Sequence, residues 1–174
     1  MKKFTILIAV LLTLPVMLSF GIFKGLEKKI DREIKEAFEV TQYTHEGVEV
    51  SEELQQKLPS RVSKENFFRI KNEGKLLGYV YLDQAPSKTA EFDYLVIFDK
   101  DLAIARTKVL VYREEYGGEI GSRRWLRQFT GKSKASELGH IAAISGATIS
   151  VRSMKKAVKD ILTSVEILQK NQVL

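Results

Sequence analysis

The stretch "FDYLVIFDKDLAIARTKVLVYRE", Phe92 to Glu114, decides the fold class. Phe92, Tyr94, Val96 and Phe98 alternate with other residues, and a period of two is the mark of a strand with one face on a core. Asp99-Lys100-Asp101 is a turn, and the return segment is read with Val109 and Val111 on one face. The pattern is therefore an antiparallel hairpin.

Working outward, "FFRIKN", "EGK" and "LLGYVYLDQ" form a second hairpin signal just upstream, followed by a loop in "APSKTAE". Further upstream, "YTHEGVEV" reads as a short strand. "SEELQQKL" reads as a short helix capped by Ser51, with Glu52 and Glu53 in its first turn. In "KGLEKKIDREIKEAFEV", Leu26, Ile30, Ile34 and Phe38 recur every four residues among charges, which predicts an amphipathic helix over residues 24–40. It either packs on the domain or forms a stalk. Downstream of the hairpin, "YGGEIGSRRWLRQF" is a glycine turn feeding a short helix. Val151, Met154, Val158, Ile161, Leu162, Val165 and Leu168 then trace the apolar face of a closing helix, about Ser150 to Gln169. Strands and helices are segregated along the chain, so the expected class is α+β, an antiparallel sheet of hairpins packed with helices.

The 174 residues suit one ordinary domain, and 44% hydrophobic with 29% charged residues is a globular composition. There is no cysteine, which removes disulfides, thiolate metal sites and a cysteine nucleophile. His45 and His140 are the two histidines, far apart, and no metal-binding spacing is present. No triad or paired-carboxylate constellation is visible, so no catalytic residue is expected. The net charge of +6 invites a nucleic-acid reading, but the N-terminus argues against it. Met1-Lys2-Lys3 precedes an uncharged run, "FTILIAVLLTLPVMLSFGIF", Phe4 to Phe23. As a helix that run spans about 30 Å, the depth of a bilayer core. Residues 1–23 are therefore expected to be a membrane anchor or a cleaved signal segment, with residues 41–174 as a domain outside the cytoplasm.

Ser145-Gly146-Ala147-Thr148 lies directly before the closing helix. Gly146 lets the backbone turn or approach a ligand, and Ala147 takes little room. Thr148 offers a hydroxyl where free N–H groups and the helix dipole favour an anion, and Arg152 and Lys155 add positive charge. Two readings follow from the residues alone: a capped turn, or a seat for a phosphate. The segment "AISGATISVRSMKKAV" resembles the flavin-attachment segment of the FMN-binding domain family. That family includes subunits of sodium-pumping NADH:quinone reductase and of the Rnf complex. Its pattern is Asp-x-x-Ser/Thr-Gly-Ala-Thr/Ser, followed by a helix. The resemblance implies FMN joined through its phosphate to Thr148 by a flavin transferase, with Ser145, Gly146, Ala147 and Arg152 around it. The segment "EEYGGEIGSRRWLRQFTGK", Glu114 to Lys132, is similar to the family's glutamate, glycine turn and Trp-x-x-x-Phe region. It implies that Glu115, Tyr116, Gly117, Gly118 and Trp125 line the flavin ring. One position departs from the pattern: Ala142 stands where the acidic residue is expected. What the resemblance implies about function is an electron carrier working with membrane redox partners. The alternatives are a free-standing reductase with non-covalent FMN, and an interaction module without flavin.

Overall fold

The computed structural model describes residues 25–174; the proposed anchor or signal, 1–23, lies outside the described residues. Helix α1 (Glu27–Phe38) leads into strand β1 (Thr44–Gly47) and the short helix α2 (Glu52–Gln55). Strands β2 (Phe67–Asn72), β3 (Lys75–Pro86), β4 (Glu91–Asp99) and β5 (Ile104–Val111) follow. A 3-10 turn at Gly118–Gly121 precedes helix α3 (Arg123–Leu126), and further 3-10 turns at Arg127–Phe129 and Ala135–His140 lead to α4 (Thr148–Lys170). The strands pair antiparallel in sequence order, β1-β2-β3-β4-β5, a meander of the expected α+β class.

Local chemistry explains most boundaries. Ser51 caps α2, its Oγ accepting from the Leu54 N–H at 3.3 Å. Glu73 and Gly74, both left-handed (φ 49° and 78°), close the β2–β3 hairpin in two residues. The Asp99 carboxylate accepts from the N–H groups of Asp101 and Ala103, each at 2.9 Å, and holds the β4–β5 turn.

The sheet is covered on both faces. On one, Phe67, Tyr81, Phe92, Tyr94, Val96 and Phe98 pack with Met154, Val158, Ile161, Val165 and Leu168 of α4. Each such large side chain is worth roughly 1.5–3 kcal/mol when fully buried. On the other face, Phe68, Ile70, Val80, Leu82, Leu95 and Ile97 pack with Ile30 and Ile34 of α1. The amphipathic helix is thus docked on the domain rather than standing off as a stalk. Its buried Glu33 meets Arg106 (2.9 Å) and Lys108 (3.1 Å) of β5. Burial pushes the Glu33 carboxyl up, but these two cations outweigh it and hold the group below the usual carboxylate range.

Contrary to expectation, Val109 and Val111 do not share a face. Tyr94 pairs with Val109 and Asp93 with Val111, so Leu110 is an extra residue in β5. This bulge breaks the alternation, leaving Val109 in the α4-side cluster while Leu110 and Val111 turn to the α1 side.

Candidate functional site

Helix α4 begins at Thr148, two residues before the apolar stripe suggested. The stripe could not show this, because Ile149 lies off it and is 49% exposed. Thr148 is therefore the first residue of the helix rather than the one before it. Gly146 is left-handed (φ 81°), and the Ala147 N–H donates to the Ile144 carbonyl at 3.3 Å. Ala147 occupies the N-cap position, and no side chain caps the helix. The simple capped-turn reading thus lacks its capping bond, and the helix start keeps its anion-favouring character. Ser145, Gly146 and Thr148 are exposed, whereas Ala147 is buried against the core. Arg152, one turn on, is exposed and forms no ion pair among the described residues. Lys155 is partly buried and donates to the Ile141 carbonyl at 3.2 Å.

The glycine turn, thirty residues earlier in the sequence, abuts this helix start. Gly117 is left-handed (φ 85°), and a Cβ there would lie 3.2 Å from the Ala147 Cβ and 2.8 Å from the Tyr112 hydroxyl. That hydroxyl bridges the two segments: it donates to the Tyr116 carbonyl (3.0 Å) and meets the Ser150 hydroxyl (2.9 Å). A carbonyl can only accept, so the tyrosine proton goes to Tyr116 and Ser150 donates in turn. Among the described residues, Tyr116 (77%) and Ile149 (49%) are the large apolar side chains left exposed, one on each abutting segment. Glu115 and Gly118 are exposed beside them.

Trp125 stands differently. It is only 5% exposed, packs edge-on to Phe129 at 5.3 Å and donates its indole N–H to the Ala142 carbonyl at 2.7 Å. The Ala142 N–H donates to Gln128 Oε1 at 2.8 Å, and Gln128 Nε2 donates to the Trp125 carbonyl at 3.1 Å. Ala142 thus has both backbone groups fixed while its methyl group faces solvent. Trp125 anchors the loop before α4 from within the core.

Three residues of the site escaped sequence reasoning. Tyr112 is simply the next residue after a strand, and its role depends on what packs above it. Gln128 lies three residues after Trp125, a spacing that places both on one helical face, and so it was legible in principle. Glu114 shows how a doublet divides its labour. Its carboxylate accepts from the Ser87 hydroxyl (2.6 Å), the Thr89 N–H (2.6 Å) and hydroxyl (2.9 Å), and the Ala90 N–H (3.1 Å). These bonds, Ser87 first, hold its pKa down at about 2. Glu114 therefore pins the loop before β4, while Glu115 is left exposed.

A small α+β scaffold that presents an exposed threonine at an uncapped helix start, beside a glycine turn and two exposed apolar side chains, is a ligand-carrying domain. Residues 88–163 match the family model of the FMN-binding domain, and FMN is the ligand the match supports. The matched segment runs from the loop before β4 into α4 and contains both abutting segments. No curated protein matches the chain.

The residues present fit FMN. Its phosphate suits the uncapped helix start beside Arg152, and its ring suits the apolar surfaces of Tyr116 and Ile149. Among the described residues there is no cluster of metal-ligating side chains.

Proposed function

We propose that this chain is an electron carrier in which FMN is joined through its phosphate to the Thr148 hydroxyl. The observation that carries the reading is the exposed, uncapped Thr148 with Tyr116 and Ile149 left exposed beside it. Exposed apolar side chains on two abutting segments suit a binding surface. FMN would supply the redox chemistry; the protein's part is to hold and orient it. Thr148 provides the oxygen of the phosphoester, and Arg152 stabilises the remaining phosphate charge. Tyr116 and Ile149 shield one side of the ring from water. Tyr112 keeps the turn bearing Tyr116 in register with the helix start. A covalent tether suits a domain outside the cytoplasm, where a dissociated cofactor would be lost. On this reading residues 4–23 hold the protein at the membrane, a flavin transferase matures it, and membrane redox proteins exchange electrons with it.

The test is co-expression with a flavin transferase. The peptide containing Thr148 should gain the mass of FMN less water, and Thr148→Val should abolish the gain. Label that persists in the variant overturns the attachment site. An alkaline phosphatase fused after Leu174 should be active in a bacterial host; a silent fusion would place the domain in the cytoplasm.

A further inference from the structure

A second site lies away from the α4 start, where α1, β5 and α3 meet in a groove of about 330 Å³. Four cations line it: Arg106 and Lys108 from β5, and Arg123 and Arg127 from the α3 region. Two carboxylates, Glu33 and Glu36 of α1, share it, and both are already committed. Glu33 binds Arg106 and Lys108, and Glu36 binds Arg106 at 2.8 Å. Arg123 and Arg127 form no ion pair among the described residues. They are four apart in sequence, which places both on one helical face, and the groove takes both. Two charges are therefore left uncompensated in the groove, whose lining also includes Gly121 and Leu126. Two of the lining residues are tied together, the Thr107 hydroxyl donating to the Leu126 carbonyl at 3.0 Å.

Like charges converging on one concavity repel, and an anion of matching charge relieves the repulsion. Guanidinium groups donate in pairs to the oxygens of carboxylates and phosphates. We infer that this groove is a binding site for a small doubly charged oxyanion, a phosphate or a dicarboxylate, held chiefly by Arg123 and Arg127. The inference does not depend on the state of Thr148. Glu36 competes for Arg106 in the same groove, so removing that carboxylate should strengthen binding there.

The test uses the full-length, flavin-free chain in detergent micelles, isotopically labelled, titrated with inorganic phosphate and separately with succinate. At least one of the two should produce saturable shifts at Thr107, Gly121, Leu126 and the side-chain N–H groups of Arg123 and Arg127. The double variant Arg123→Gln/Arg127→Gln should weaken binding roughly tenfold or more. Glu36→Gln should tighten it roughly two- to fivefold. A remote change, Lys170→Gln, should leave it unaltered. The inference is overturned if neither anion saturates, if the shifts fall at residues 148–151 instead, or if the double variant binds as the parent does. It is equally overturned if Glu36→Gln weakens binding while thermal melting shows the variant folded.

Discussion

Replacing Gly117 by alanine probes the contact on which the proposed flavin site is built. Two terms oppose the change. Gly117 has φ 85°, a region that costs an L-residue roughly 1–2 kcal/mol. The new Cβ would also sit 2.8 Å from the Tyr112 hydroxyl and 3.2 Å from the Ala147 Cβ. The hydroxyl must give way, and its bonds to Tyr116 and Ser150 are each worth about 1 kcal/mol net. The expected loss is about 2–4 kcal/mol, read from chemical denaturation. Gly146→Ala is the internal control: its φ is 81°, but nothing lies within 4 Å of its Cβ position. It should cost only the backbone term, roughly 1–2 kcal/mol. Adding Tyr112→Phe to Gly117→Ala should be less than additive, because the obstructing oxygen is then gone. If Gly117→Ala costs no more than Gly146→Ala, the turn does not abut the helix start and the site as described is wrong.

Two further outcomes follow from the same geometry. Ala142→Asp places a carboxylate in solvent without disturbing the backbone bonds to Trp125 and Gln128, so stability should change by less than about 0.5 kcal/mol. If the missing acid limits recognition by the transferase, the labelled fraction measured by mass spectrometry should rise; equal labelling would make the departure neutral. The Glu114 carboxyl has a folded pKa of about 2, below its ordinary value of 4.5. A depressed acid stabilises the fold fully above the unfolded value, and that stabilisation is lost as pH falls through the folded one. The Thr89 and Ala90 amides should therefore lose exchange protection, at fixed intrinsic rate, between about pH 4.5 and about pH 2. Glu114→Gln should flatten that dependence.

Features that repeat along the chain were legible in the sequence, because periodicity is a property of spacing alone. Phe92 to Phe98 marked β4, Val151 to Leu168 marked the buried stripe of α4, and the Ser-Gly-Ala-Thr segment with its glycine-turn partner marked the flavin domain. What spacing could not reveal was which surfaces meet. Alternation suggested a strand with one buried face, but α1 docks on the second, so Leu95 and Ile97 are as buried as their neighbours. A single extra residue, Leu110, turned Val111 away from Val109; a bulge depends on the partner strand and leaves no mark in composition. The Glu114–Glu115 doublet carried no sign of which carboxylate would reach the 87–90 loop. The bridge from Tyr112 to Tyr116 and Ser150 spans 38 residues of sequence to its far end. Only tertiary packing, which brings the residue after β5 against the start of α4, puts those hydroxyls within bonding distance. Sequence determined the local pieces and the chemistry they carry; tertiary structure decided which polar groups face one another, because short-range directional bonds form only after the apolar faces have set the distances between elements.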